Sequence, residues 1–193
     1  MNNPLNPGYF TEDELSQLGL PSVGHNVRIA RNCIVVGIEN MTIGNNVRID
    51  GPTVLSASGG HIHIGSHVHI GGMCFLAGGG GIELDDFSGL SQGVRIYSTS
   101  DDYSGAALTN PTVPRRYLNV KVAPVHLGRH VIVGSGSVIL PGCAIGEGSS
   151  IGALSLVTKN LDPWGVYFGT PARRLRARSR KLLKLEEEFM KKP

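Results

Sequence analysis

The amino-acid sequence predicts an all-β protein, a parallel β-helix of about six coils. Glycine makes up 27 of the 193 residues, and only 17% of the residues are charged. This glycine content is about twice the usual one, and the charged fraction lies below the usual ~25%, which is typical of short strands joined by tight corners. A bulky aliphatic residue also recurs every six positions, as at Ile43, Ile49 and Leu55. This period of six favours a β-helix.

The hexads form six groups of three, and each group predicts one coil. In chain order the hexads begin at Val23, Ile29, Val35; Ile43, Ile49, Leu55; Ile64, Ile70, Leu76; Leu84, Leu90, Ile96; Leu127, Val133, Ile139; and Ile145, Ile151, Val157. Each hexad supplies a short strand and a turn, with the aliphatic residue inward and successive coils about 4.8 Å apart. A small or β-branched residue four positions later, such as Val27 or Ser137, also points inward. A β-sandwich would show a period of two, so the period of six argues against it.

Composition excludes several classes of protein. No apolar run approaches the ~18 residues of a membrane span, and residues 1–10 lack the pattern of a signal peptide. Three cysteines without a pairing pattern fit a reducing compartment. The net charge of +3 is too small to indicate a nucleic-acid partner. We therefore expect a soluble cytoplasmic protein that binds neither membranes nor nucleic acids.

The N-terminal segment, residues 1–22, precedes the repeat. Residues 11–14, Thr-Glu-Asp-Glu, have the pattern of a capping box that opens a helix, and Gly19 can end that helix. We expect this short helix to cap the first coil and to protect its open sheet edge.

The C-terminal segment, residues 169–193, follows the β-helix of residues 23–168. Leu175, Leu182 and Phe189 recur at a spacing of seven, which predicts a terminal helix.

A long insertion interrupts the repeat between Ile96 and Leu127. It adds about 25 residues to an otherwise tight coil, and loops of this length in compact domains usually carry function. We therefore expect residues 97–124 to form an active-site loop.

The hexads resemble those of the left-handed β-helix acyltransferases, the hexapeptide-repeat sugar acetyltransferases. The most specific similarity lies in residues 151–159, which are IGALSLVTK, and in residues 169–172, which are GTPA. The resemblance extends over about residues 23–178. It implies a left-handed β-helix, acetyl-CoA as co-substrate, and a homotrimer with active sites between subunits. Residues 101–114 and 164–168 are most similar to acyltransferases of O-antigen (lipopolysaccharide) biosynthesis, one of which acetylates a dTDP-4-amino-4,6-dideoxyhexose.

The resemblance also implies a set of coenzyme A contacts. The residues that would face the pantetheine arm are Ser135, Ala153 and Thr158, and those that would bind the phosphates are Lys159, Arg173 and Arg176. Lysine and arginine donate charge-assisted hydrogen bonds to phosphate. The five arginines of residues 173–180 also allow another interpretation, a solvated helix face. Their place directly after the GTPA segment favours phosphate binding for the first three.

The sequence departs from the family at the catalytic base. In the galactoside-type enzymes the long loop follows a histidine that deprotonates the acceptor hydroxyl, and the resemblance places Asp101 at that position. Two alternatives follow: Asp101 or Asp102 is the base, or the reaction needs little help from a base. His126, which follows the loop, is a reserve candidate.

The acidity of the acceptor group favours an amine over a hydroxyl. A sugar hydroxyl is so weakly acidic that a positioned base is worth ~10²–10⁴-fold in rate. An amine beside electron-withdrawing oxygens should titrate near ~8, as an α-amino group does, so that much of it is already neutral and nucleophilic. An aspartate can hold the ammonium form and then relay a proton. We therefore expect acetylation of a nucleotide-linked amino sugar; a sugar O-acetyltransferase and a non-enzymatic β-helix trimer are the alternatives.

Four histidines, at positions 61, 63, 67 and 69, raise the question of a zinc site. His63 and His69 are one hexad apart, so they lie on faces turned by ~120° and their side chains diverge. We expect no metal site.

Overall fold

The predicted parallel β-helix is confirmed. The computed structural model describes residues 5–191, and within that range the chain winds through six complete coils of three strands each. A further strand adds the start of a seventh coil, one more than the hexads predict. The direction in which the coils wind stays a prediction from the resemblance.

The strands follow one another in chain order. The first three coils contain β1 (Ser22–Val23), β2 (Arg28–Ile29), β3 (Ile34–Val36), β4 (Met41–Ile43), β5 (Arg48–Ile49), β6 (Val54–Ser56), β7 (Ile62–Ile64), β8 (His69–Ile70) and β9 (Phe75–Ala77). The fourth coil and the long loop contain β10 (Ile82–Leu84), β11 (Gly89–Leu90), β12 (Arg95–Tyr97), β13 (Thr99–Ser100) and β14 (Lys121–Val122). The remainder comprises β15 (Val125–Leu127), β16 (Ile132–Val133), β17 (Val138–Ile139), β18 (Ala144–Ile145), β19 (Ser150–Ile151), β20 (Leu156–Val157), β21 (Gly165–Phe168) and β22 (Arg173–Ala177). The helices are α1 (Glu12–Ser16) and α2 (Lys181–Met190), and two short 3-10 helices span Ile38–Asn40 and Arg115–Tyr117.

Three sheets form the sides of the β-helix, and all their strands are parallel except the last strand of the second sheet, β22. The first sheet has the order β1-β4-β7-β10-β15-β18, the second β2-β5-β8-β11-β16-β19-β21-β22, and the third β3-β6-β9-β12-β17-β20. The first corner joins the first sheet to the second, the second corner joins the second sheet to the third, and the third corner joins the third sheet to the first.

The core is the column of inward aliphatic residues that the hexads predict. One layer consists of Leu84, Leu90 and Ile96, which are 2%, 1% and 0% exposed. The smaller residues at the predicted inward positions near the corners, among them Val27 and Ser137, are buried as well. Burial of this column stabilises the coils because apolar area leaves water along the whole length of the β-helix.

The N-terminal capping box forms as predicted. The Thr11 side chain accepts a hydrogen bond from the Glu14 backbone N–H, and the Glu14 carboxylate accepts one from the Thr11 backbone N–H. Helix α1 buries Leu15 against the first coil, where this residue joins the hydrophobic core. The backbone of Tyr9 bridges to Ala30 beside β2, so part of the open edge of the second sheet is covered.

Asp50 ties the N-terminal segment to the outer face of the second sheet. Its carboxylate accepts hydrogen bonds from the Tyr9 hydroxyl at 2.7 Å and the Arg48 Nε at 2.8 Å, and it lies 2.9 Å from His69 Nε2. Partial burial raises the pKa of Asp50, but the hydrogen bonds with His69, Arg48 and Tyr9 outweigh it and hold that pKa at about 2, below the ordinary 3.8.

The Asp50 contacts should make stability depend on acid pH. Because the folded-state pKa of Asp50 is depressed, the contribution is complete above the ordinary pKa and is lost as the pH falls from there towards about 2. We expect Asp50→Asn to lower the free energy of unfolding at pH 7 by about 1–3 kcal/mol. Thermal unfolding of both proteins checks this, and the gap in melting temperature should narrow as the pH falls from 5 to 3. A gap that does not change with pH would contradict it.

The predicted terminal helix is confirmed over α2 (Lys181–Met190), but the C-terminal segment begins as a strand. The spacing of seven places Leu175 on a helix, but Arg173–Ala177 forms β22, which runs antiparallel to β21. The backbone of β21 offers an unpaired edge at the end of the β-helix, and pairing with it satisfies groups that a helix would leave open. The alternative of an arginine-bearing helix face is therefore wrong for residues 173–177.

Helix α2 packs against the first corner. There the rings of His67, Phe87 and His130 stack, with centroids 4.7 Å and 5.2 Å apart. Phe189 sets its ring edge-on to His67 at 5.2 Å. The Glu186 carboxylate lies 2.7 Å from His130 Nε2 and also pairs with Arg129. The helix thus returns along the corner from the sixth coil to the third.

Across residues 5–191, we find no helix with the length and apolar character that a membrane span requires.

Candidate active site

The long loop leaves the β-helix at the third corner and returns to it there. β13 pairs antiparallel with β14, with Thr99 opposite Val122, and this stem holds Asp101 beside a cavity of about 680 Å³. The cavity is lined by Tyr97, Thr99, Ser100, Asp101, Tyr103, Val120, Leu140, Pro141 and Leu156. A carboxylate against a largely apolar wall is suited to an acceptor with one cationic or hydrogen-bonding group.

The structure separates the roles of the two adjacent aspartates. Asp102 accepts hydrogen bonds from the Ser104 backbone N–H at 2.7 Å and from Asn119 Nδ2 at 3.1 Å. Hydrogen bonds from Ser104 and Asn119 lower the pKa of Asp102. Among the described residues, the carboxylate of Asp101 accepts only a long bond, 3.3 Å, from the Asn110 backbone N–H. Asp102 therefore organises the loop, and Asp101 is the carboxylate with free capacity at the cavity.

His126 lies on a different face. It stands outward on the first sheet, and its Nε2 lies 3.0 Å from the Asp85 carboxylate. Both residues line a separate cavity of about 420 Å³. The structure of one chain therefore does not bring His126 to the cavity of Asp101.

Three of the expected coenzyme A contacts line the second corner. Ser135 follows β16, Ala153 follows β19 one coil further on, and Arg173 begins β22 opposite Phe168. The three are exposed and succeed one another towards the C-terminal end of the β-helix. Arg176, opposite Val166, lies further along β22 towards the first corner.

The remaining expected contacts lie at the third corner. Thr158 and Lys159 are exposed and directly follow β20. The third sheet separates them from Ser135 and Ala153, so one chain divides the expected coenzyme A contacts between two corners.

The last two arginines of the segment have structural partners. Arg178 donates to the backbone carbonyls of His130, Gly148 and Ser149 at 2.8, 3.0 and 3.2 Å. Arg180 stacks its guanidinium over the ring of Trp164, 5.1 Å from the centroid. These two arginines attach the C-terminal segment to the first corner, which agrees with phosphate binding being expected only of the first three.

Two of the histidines of the third coil, His63 and His69, stand on different sheets, whereas the rings of His61 and His63 stack with centroids 4.4 Å apart. His63 stands outward on β7 in the first sheet, and His69 on β8 in the second. Within residues 5–191, no three His, Cys, Asp or Glu side chains come together in a way that could hold a metal ion.

Sequence reasoning missed one residue near the site, Arg95. It is exposed on the third sheet, two residues before Tyr97 on the same face of β12. The outward residues of this sheet are Ile34, Val36, Val54, Ser56, Phe75, Ala77, Arg95, Tyr97, Val138, Leu140, Leu156 and Thr158. Arg95 is the single charged residue among them, and this contrast could have been recognised by comparing the same hexad position in all coils.

The coils of hexads and the exposed second and third corners define a class, the bacterial hexapeptide-repeat transferases. Residues 124–159 match the family described as bacterial transferase hexapeptide (six repeats). The chain is also 41% identical over 181 residues to the dTDP-4-amino-4,6-dideoxy-D-glucose acyltransferase of Escherichia coli, and the match covers 94% of each chain. The chain therefore belongs to the family of hexapeptide-repeat acyltransferases that includes this enzyme.

Solved structures agree with this assignment. AntD, an N-acyltransferase from Bacillus cereus solved as a variant with dTDP and coenzyme A, is 43% identical with a TM-score of 0.93, covering 96% of this chain and 99% of its own. AntD with dTDP and 3-hydroxybutyryl-CoA is 44% identical with a TM-score of 0.92, covering 95% and 97%. A hexapeptide transferase family protein from Anaplasma phagocytophilum is 21% identical with a TM-score of 0.65, covering 87% and 91%, and shares the fold alone.

Proposed function

We propose that this protein transfers an acyl group from acyl-CoA, such as acetyl-CoA, to the amine of a nucleotide-linked 4-amino-4,6-dideoxyhexose. The observation that carries the proposal is the match along 94% of the chain to an acyltransferase of that amino sugar. The Asp101 cavity supports it, because a lone carboxylate beside apolar side chains suits an amine. The relatives that transfer to nitrogen favour the amine over the hydroxyl alternative and over a non-enzymatic scaffold.

The chemistry is a direct transfer. The neutral amine attacks the thioester carbonyl and forms the new C–N bond, and the C–S bond breaks as coenzyme A leaves as a thiolate. The ammonium form of the acceptor, held by Asp101, first releases one proton to solvent, and after the attack the second proton passes from nitrogen to the thiolate or to Asp101. A base is worth less here than for a hydroxyl, because the amine titrates near ~8.

A spacing in AntD supports a role for Asp101. AntD has been solved as variants at one serine and at one aspartate, ten positions apart in its sequence, in complexes with dTDP or the amino sugar nucleotide. Of the seven aspartates of this chain, Asp101 alone has a serine, Ser91, ten positions before it. We assign Asp101 to binding of the acceptor amine and Asp102 to support of the loop. His126 is the second candidate for a general base.

Two observations support a homotrimer with sites between its subunits. The outer face of the third sheet is mostly apolar and carries Arg95 as its single charged residue, which is typical of a surface covered by another copy. The expected coenzyme A contacts lie at the second and third corners, and two adjoining copies can bring opposite corners together. Light scattering should give three times the 20.5 kDa of one chain; a monomer at assay concentration would contradict the trimer.

The remaining assignments follow from the same similarity. We assign residues 97–124 to the active-site loop, and residues 169–193 to the tail, with Ser135, Ala153 and Thr158 on pantetheine and Lys159, Arg173 and Arg176 on phosphate. A role in O-antigen and lipopolysaccharide biosynthesis fits an amino-sugar product, and a cytoplasmic location fits a donor that is acyl-CoA.

The direct test is turnover by the purified protein. Acetyl-CoA and 3-hydroxybutyryl-CoA are each offered with a panel of dTDP- and UDP-linked amino sugars and their hydroxyl counterparts, and free coenzyme A thiol is measured. We expect turnover with a dTDP-linked 4-amino sugar. Turnover confined to hydroxyl acceptors, or none with any amine, would reject the proposal.

A further inference from the structure

We propose that Arg95 binds the diphosphate of the nucleotide-linked acceptor and that the cavity beside it receives the nucleoside. This inference rests on the proposed function, because it places the parts of that acceptor relative to Asp101. It concerns residues in the first four coils, on the side of Asp101 away from the expected coenzyme A contacts.

The residues expected to bind the acyl-CoA donor and those expected to bind the acceptor lie in different coils of the β-helix. Asp101 and Ser91 belong to the fourth coil. Ser135 and Ala153 lie in the fifth and sixth coils, and Arg173 lies on β22 beyond the seventh, so the donor would approach the fourth coil from the C-terminal end. The nucleotide of the acceptor must then extend towards the N-terminal end, along the first three coils.

A cavity lies on that side. It has a volume of about 300 Å³ and spans the first four coils beside the second corner. Its lining consists of Asn32, Ile34, Pro52, Thr53, Val54, Met73, Cys74, Phe75 and Arg95. Phe75 offers a ring for a nucleobase, and stacking on an aromatic side chain is worth ~1–3 kcal/mol per base. Asn32 supplies a hydrogen-bonding amide beside this apolar wall.

Arg95 stands between this cavity and the one that holds Asp101. It lines the first cavity, and Tyr97, two residues along the same face of β12, lines the second. Residues two apart on a strand are about 6.7 Å apart. This step suits an acceptor in which one hexose ring separates the amine from the diphosphate.

The charge on Arg95 lacks a partner in the part of the chain that the structure describes. Over residues 5–191, no side chain forms an ion pair or a hydrogen bond with its guanidinium, and its outward neighbours in the adjacent coils are Phe75 and Val138. Its exposed guanidinium is therefore available to an anionic ligand. A diphosphate is a suitable counter-ion, since the planar guanidinium can donate two hydrogen bonds to it at once.

The test compares Arg95→Ala with Arg28→Ala, which removes an unpaired arginine at the same hexad position on the second sheet. Calorimetry measures binding of dTDP and of coenzyme A to each protein, and steady-state kinetics measures KM for the amino sugar nucleotide. We expect Arg95→Ala to weaken dTDP binding and to raise that KM at least ~10-fold, as the loss of one charged hydrogen-bonding group does. Coenzyme A binding and the mass in solution should not change, and Arg28→Ala should behave as wild type.

Three results would overturn the inference: unchanged dTDP binding and KM in Arg95→Ala, loss of coenzyme A binding instead, or a change in mass that assigns Arg95 to the contact between copies. Arg95→Lys is the control for misfolding of Arg95→Ala. It keeps the positive charge and should recover part of the affinity for dTDP. Failure of the proposed function is distinct, since wild-type protein would then turn over no amino sugar nucleotide at all.

Discussion

Replacing Lys159, Arg173 and Arg176 together by alanine should raise the KM for acyl-CoA about 100-fold. Each side chain is exposed, and Arg173 uses one guanidinium N–H in a long bond, 3.3 Å, to the Ala172 carbonyl. Their other donors can form charge-assisted hydrogen bonds to phosphate, and one such bond contributes about 1.5–3 kcal/mol before solvent screening. Screening reduces the sum of three, and 100-fold corresponds to about 2.7 kcal/mol. Steady-state kinetics at saturating acceptor measures the change, and kcat should be nearly unaffected because the phosphates lie far from the thioester.

A matched control variant loses the same number of positive charges at other positions on the surface. Arg28, Lys181 and Lys184 are also exposed, and their replacement by alanine removes three positive charges elsewhere on the surface. We expect this control to retain the wild-type KM. Equal effects of the two triple variants would show that overall charge, rather than the second and third corners, attracts coenzyme A, and would reject the phosphate assignment.

Asp101→Asn should slow turnover of the amine about 10–100-fold, less than the upper range for removing a general base. The asparagine still accepts a hydrogen bond at the cavity, but it neither attracts the ammonium form nor takes up a proton. Asp102→Asn should slow turnover of the amine less, because Asp102 forms hydrogen bonds within the loop. Values of kcat for both variants on one dTDP-linked amino sugar measure the difference.

The pH profile separates the two roles of Asp101. If the amine supplies its own nucleophile, the wild-type rate rises as the pH approaches ~8 and is level above it, following the titration of the acceptor. Two results together would instead identify Asp101 as an obligatory base and an oxygen as the acceptor. Asp101→Asn would lose nearly all turnover of the amine, and the wild-type protein would turn over the hydroxyl counterpart.

The hexads predict the body of the fold well because each coil repeats the same local rule. Ile96 and Leu90 lie in the core for the reason that the period indicates, and the capping box at Thr11 forms from residues adjacent in the chain. The strand at Arg173–Ala177 could not be predicted in this way, since it depends on the free edge of β21. Tertiary pairing here overrides the helical spacing of the leucines.

In the candidate site too, some features could be predicted from the sequence and others depend on tertiary structure. The long loop could be found from the sequence, because the insertion interrupts a strict repeat, and the resemblance to the family then indicated Asp101 as a candidate. The separation of Thr158 from Ala153, and of His126 from Asp101, depends on which corner each residue occupies. Arg95 stands out only when the outward residues of one sheet are compared across coils, and a search for motifs along the chain does not make that comparison.

In the proposed assignment, the strand spacing of the β-helix also sets the distance between the thioester and phosphate sites. Arg173 lies on β22, the eighth strand of the second sheet, four strand spacings beyond β11 of the fourth coil, which holds Asp101, so the two levels are separated by about 19 Å. A β-helix can gain or lose a whole coil without disturbing its neighbours, because each coil contacts only the adjacent ones. A coil inserted among the fifth to seventh would therefore keep the fold and every side chain of the site, yet hold the thioester one strand spacing short of the amine. The number of coils in this half of the molecule is thus constrained by the length of the pantetheine arm rather than by stability.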